Sequence, residues 1–106
     1  MIVVVFRSRL RPGVEKPYSE AAQSVIPAAI QVPGYISHKV YSAEDGERVT
    51  IVEYESEEAM REWARDPGHV AAKKLGRQEF YDGYKVQICN LLRERSFSRE
   101  QSEAQT

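Results

Sequence analysis

From Val4 the chain alternates. Val4, Phe6, Ser8 and Leu10 fall on one side of an extended strand, and Val5, Arg7, Arg9 and Arg11 on the other. The β-branched start supports a strand, and Pro12-Gly13 ends it. From about Val14 to Val32 the spacing becomes helical. Tyr18, Ala22, Val25 and Ala29 share one stripe, with Ile26 and Ile30 beside it. Pro17 suits a first turn. Pro27 withholds a backbone N–H and should kink the helix or end its regular part.

After Pro33-Gly34 the pattern predicts a hairpin, with arms Tyr35 to Ser42 and Arg48 to Glu55 around the turn signal Asp45-Gly46. In the second arm Val49 and Ile51 face one way, and Thr50, Val52 and Tyr54 the other. Ser56 offers an N-cap, with Glu57 and Glu58 in the first turn. Ala59, Met60 and Trp63 form the apolar face of that short helix. Asp66-Pro67 starts another helical piece, from Gly68 to about Gln78, expected to bury Ala71, Ala72 and Leu75. The last strand is predicted from about Tyr84 to Arg95. Residues 1–97 form one domain, and Ser98 to Thr106 is a polar tail that buries nothing and is expected to be disordered.

The order β-α-β-β-α-β predicts an α+β, ferredoxin-like fold with an antiparallel sheet. Both helical layers then cover one face of the sheet. The first and last strands are partly apolar on both faces: Val3 and Val5 oppose Val4 and Phe6, and Cys89 and Leu91 oppose Ile88 and Leu92. The expectation is a homodimer joined sheet to sheet; cover by the tail or a loop is the alternative. Size supports this, because 106 residues at 42% hydrophobic content give a thin core. Fifteen Lys and Arg oppose sixteen Asp and Glu, so no nucleic-acid partner is expected. No apolar run approaches the ~20 residues of a membrane span, and none resembles a signal peptide. A single cysteine, Cys89, excludes an internal disulfide and a cysteine-based zinc site. A cytoplasmic protein is the default.

Several segments in order carry a family resemblance: Phe6-Arg-Ser-Arg-Leu-Arg-Pro-Gly13, Pro33-Gly-Tyr35, Ala43-Glu-Asp-Gly-Glu-Arg-Val49, Tyr54-Glu-Ser-Glu-Glu-Ala59 leading to Trp63, His69-Val-Ala-Ala-Lys-Lys-Leu-Gly-Arg77, and Phe80-Tyr-Asp-Gly-Tyr84. Together they resemble the antibiotic biosynthesis monooxygenase (ABM) family, a set of dimeric α/β barrels. The resemblance implies a pocket between helices and sheet in each subunit. It implies oxidation of a small aromatic, quinone-type or polyketide-like compound by O2 with no cofactor or metal. A non-catalytic ligand-binding protein is the alternative. A second branch degrades haem; of its pattern this chain keeps Trp63 alone. Phe6 stands where that branch has Asn and Lys73 near its ligand His, with His69 one turn earlier.

Candidate chemistry follows from residue type. Trp63 offers an apolar wall and one N–H donor, or is simply core. His69 follows Asp66-Pro-Gly in a first helical turn, where the helix dipole favours a neutral, proton-accepting ring; a surface or capping role is the alternative. Tyr81 and Tyr84 can hydrogen-bond a carbonyl or hold an oxyanion, or serve as ordinary packing. Arg77 can pair with an anionic substrate, or with the end of its own helix. Phe6 and Ser8 should line the pocket floor. His38, between Ile36 and Val40, is expected to be structural or at the dimer interface.

Overall fold

The computed structural model describes residues 1–99. Four strands form one antiparallel sheet: β1 (Ile2–Leu10), β2 (Tyr35–Ser42), β3 (Arg48–Tyr54) and β4 (Tyr81–Asn90). Its order is β2-β3-β1-β4, so the β-branched β1 lies at the centre. Helix α1 (Glu15–Ala29) connects β1 to β2. Helices α2 (Glu57–Arg65) and α3 (Pro67–Leu75) and a π-helical turn (Gly76–Phe80) connect β3 to β4. The fold is the α+β, ferredoxin-like one that the pattern predicts. Of the predicted tail, residues 100–106 lie outside the described residues.

Register follows the alternation. Val4 pairs with Val52 and Ile88, and Phe6 with Thr50 and Val86. These positions share the face that the helices cover. The hairpin turn closes as its Asp-Gly signal requires. Gly46 takes a positive φ of 92°, and Ala43 donates its N–H to the carbonyl of Glu47 at 2.8 Å. Arg7 and Arg9, on the outer face, reach Glu47 and Asp45 of that turn at 3.1 and 2.8 Å.

The predicted caps form. Ser56 Oγ accepts from the N–H of Ala59, and Asp66 Oδ1 accepts from the N–H of His69. Helix α1 runs two residues past Pro27 and stops, so the proline ends the helix rather than kinking its middle.

Three expectations are corrected. Ala71 and Leu75 are exposed; the inward stripe of the third helical piece is His69, Ala72, Lys73 and Gly76, continued by buried Phe80. Gly76 fits there because the Tyr81 ring presses on it: a Cβ at Gly76 would stand 2.6 Å from Tyr81 Cε2. The helix also gives way to the π turn at Gly76, earlier than Gln78. The last strand runs Tyr81–Asn90 rather than from Tyr84 to Arg95, because its partner β1 ends at Ile2, which pairs with Asn90. One further rung follows, from Leu91 N–H to the carbonyl of Met1.

The main apolar cluster lies at one end of the sheet. Ile2, Tyr54 and Ala59 are buried together, with Val4, Tyr35, Val52, Met60 and Trp63 against them. The rest of the layer between α1 and the sheet is hollow, and α1 buries no residue completely. No helix among the described residues is long and apolar enough to cross a membrane.

Candidate functional site

The hollow is a cavity of about 370 Å³ between the helices and the sheet. That is within the range of small-molecule sites. Val4, Phe6, Thr50, Val52, Val86 and Ile88 form its floor. Tyr18, Ala22, Val25 and Ala29 of α1 form one wall, and Met60, Trp63, His69 and Ala72 the other. Among the described residues that line it there is no carboxylate, and Lys73 is the one side chain with a permanent charge.

Trp63 and His69 belong to one unit. Their rings stack at 4.3 Å with an angle of 10°. The chain leaves α2 at Arg65 and re-enters a helix at Pro67, and this break brings His69 back over Trp63. His69 Nδ1 lies 3.0 Å from the Trp63 carbonyl oxygen. That oxygen can only accept, so Nδ1 carries the ring proton and Nε2 of the neutral ring holds the free lone pair. Burial pushes the His69 pKa below its ordinary value, and nearby Lys73 works in the same direction. The Trp63 carbonyl and Asp66 oppose the shift without reversing it. His69 is therefore a neutral base at physiological pH.

A second cluster is aromatic. The Phe6 ring lies 5.6 Å from those of Tyr81 and Tyr84, and Tyr18 lies 5.8 Å from Phe80 and Tyr81. Burial is the main cause of the raised Tyr81 pKa, and the Tyr18 hydroxyl adds to it. Tyr81 thus stays a phenol, a group able to donate. Arg48, which the sequence did not single out, lies with its guanidinium 5.1 Å from the Tyr18 ring centre.

Of the predicted site residues, Phe6, Trp63, His69, Tyr81 and Tyr84 all line the cavity. Ser8 and Arg77 do not. Ser8, at 3% exposure, lies one strand position beyond the floor, buried where its neighbours on β3 and β4 are Arg48 and Tyr84. Arg77 projects from the exposed side of the π turn and touches the site only through Nη1, which donates to the Tyr84 hydroxyl at 3.4 Å.

His38 corrects the expectation in the other direction: it lines the cavity. It pairs with Val52, so its side chain shares the inward face. A bulge between Tyr35 and Ser37 lets Tyr35 face inward too, and the Tyr35 hydroxyl is hydrogen-bonded to His38 Nδ1. Beside them Tyr54 is buried deeply enough that its pKa is pushed up to about 12. The missed signal was in the sequence: the Asp45-Gly46 turn fixes a register that sets His38 opposite Val52.

Residues 1–75 match the family model described as antibiotic biosynthesis monooxygenase. The chain belongs to that family. The ABM chain is 29% identical over 94 residues to the protein YqjZ of Bacillus subtilis (strain 168), covering 89% of this chain and 82% of that one. Among solved structures it is similar to Rv0793 from Mycobacterium tuberculosis, with a TM-score of 0.78 and 22% identity over 90% of this chain and 98% of that one. It is also similar to SnoaB from Streptomyces nogalater, described as a cofactor-independent oxygenase. There the TM-score is 0.75 and the identity 15%, over 88% and 94% of the two chains.

In this ABM chain the cavity combines apolar walls, a proton acceptor at His69 Nε2 and several phenols. Such a set can bind an aromatic molecule, take a proton from it and hold the resulting anion.

Proposed function

We propose that the chain is a monooxygenase that needs no cofactor and oxidises a small aromatic, quinone-type or polyketide-like compound with O2. The observation that carries this reading is the free Nε2 of His69 in a carboxylate-free aromatic cavity. His69 takes the proton of an acidic substrate hydroxyl or enol. The Tyr81 and Tyr84 hydroxyls hold the anion, while Trp63 and Phe6 stack on its rings. Arg77 acts by holding the Tyr84 hydroxyl, and Ser8 by packing behind the floor. The anion then gives electrons to O2. A substrate CH2 becomes C=O, one oxygen atom is retained, and the second leaves as water with the two hydrogens. All the electrons that O2 takes come from the substrate. The description of SnoaB as cofactor-independent supports this reading.

The working unit we infer is a homodimer joined through the open sheet face. Val3 and Val5 are apolar on that face. Beyond it, Leu92 at 90% and Phe97 at 70% exposure find no cover among the described residues. The single Cys89 suits a reducing cytoplasm. Sedimentation at micromolar concentration gives twice the chain mass if this is right, and a stable monomer if it is wrong.

Oxygen uptake with a panel of hydroquinones and anthrone-type phenols tests the activity. Wild type consumes O2 with at least one of them, and His69→Ala is slower by roughly 10²–10⁴-fold. No uptake across the panel, or equal rates in the two proteins, overturns the reading.

A further inference from the structure

The proposed reaction leaves one polar pair in the cavity without a role, Tyr35 and His38. The Tyr35 hydroxyl carries one proton. Among the described residues, the acceptor it meets is His38 Nδ1. Burial raises the Tyr35 pKa, so the proton stays on the phenol. A phenol that donates to Nδ1 requires that nitrogen to be bare. The ring N–H of His38 then sits on Nε2. His69 has the opposite arrangement, because its Nδ1 donates to the Trp63 carbonyl. Donation from Tyr35 to Nδ1 thus gives the cavity two imidazoles in complementary tautomers, His69 accepting at Nε2 and His38 donating there.

We propose that His38 donates a hydrogen bond to a carbonyl or oxyanion oxygen of the ligand, with Tyr35 as the positioning residue that sets its tautomer. The cavity then selects compounds that carry both an ionisable hydroxyl and a conjugated carbonyl. When such a hydroxyl loses its proton to His69, the charge spreads through the ring onto the carbonyl oxygen. His38 Nε2–H meets the charge at that oxygen. The inference rests on the reading of this cavity as the ligand site, but not on turnover.

The test uses the full chain and two probes of matched shape, 4-hydroxyacetophenone and 4-isopropylphenol. Only the first has a carbonyl. Trp63, the single tryptophan, lines the cavity and reports binding by fluorescence quenching. Wild type prefers the ketone. In His38→Leu the ketone-to-isopropyl affinity ratio falls roughly three- to tenfold, the value of one neutral hydrogen bond. His38→Gln, which keeps an N–H donor, retains most of the ratio, and Tyr35→Phe lies between. An unchanged ratio in His38→Leu overturns the assignment. If that variant does not fold, an unchanged ratio in Tyr35→Phe does the same. Failure of both probes to bind wild type overturns this assignment and the cavity reading together. Absence of oxygen uptake with the ratio behaving as stated removes only the oxygenase reading.

Discussion

Helices α2 and α3 hold their side of the cavity with two side-chain caps, from Ser56 and Asp66, and with Ala59 buried against the sheet. Helix α1, across the cavity, has no side-chain cap, a proline in its last turns and no fully buried residue. It is held near its start by the Tyr18 ring, packed on Phe80, Tyr81 and Arg48. The stacked Trp63–His69 pair is on the fixed wall. The groups that need defined geometry are thus on the wall that local chemistry fixes. The loosely held wall supplies apolar surface, which tolerates small displacements. Motion of α1 is also the simplest way to admit a ligand.

The largest effect is expected where the fixed wall meets the sheet. Gly34 has φ 90°, and a Cβ there would stand 2.6 Å from Ala59 Cβ. Gly34→Ala should cost about 3 kcal/mol or more, from overpacking and backbone strain together. Gly13, which leads into α1, has φ 82° but open space around it. Gly13→Ala should cost about 1 kcal/mol, from strain alone. Urea midpoints measure both, and equal losses would abolish the distinction between the walls. Next comes Pro27→Ala. It restores an N–H to α1 and should stabilise the protein by about 1–2 kcal/mol, with a gain in far-ultraviolet helicity. Loss of stability instead would mean that the proline is packed rather than tolerated. Asp66→Ala removes the cap on the His69 N–H and should cost about 1 kcal/mol. It should also loosen the stack of His69 on Trp63 and shift the Trp63 emission, leaving α1 unchanged.

The same contrast decides what could be read from the residues. Caps and turns are short-range chemistry, so Ser56, Asp66-Pro67 and Asp45-Gly46 announce themselves within four residues. The ferredoxin-like order follows from them and from strand alternation. Inward and outward positions on the third helical piece are harder. Ala71 and Leu75 differ from Ala72 and Gly76 by one residue, and Gly76 reads as a helix breaker until the Tyr81 ring is placed beside it. Strand parity was available for His38, but only after the hairpin register was carried across to Val52. Composition could not distinguish a lined cavity from a packed core, because Val, Ala, Tyr and Phe build both. The thin core expected from length is, on the α1 side, a cavity.

The smallest effect is a pH dependence confined to the fixed wall. An unfolded histidine titrates near its ordinary value of 6.5, and burial moves His69 below it in the fold. As pH falls through the unfolded value, the unfolded chain binds its proton first, so stability declines until the pH passes the folded value. Above both values His69 is neutral in either state and contributes no slope. Replacement by glutamine removes the titration while keeping a side chain able to donate to the Trp63 carbonyl. The stability difference between wild type and His69→Gln should therefore be flat at and above about pH 7.5 and move against wild type towards about pH 5. Urea unfolding of both chains across that window measures it. His38 is common to the two proteins and cancels in first order. Parallel curves would mean that the His69 ring is as well hydrated as in the unfolded chain. The wall carrying it would then be as loosely held as α1.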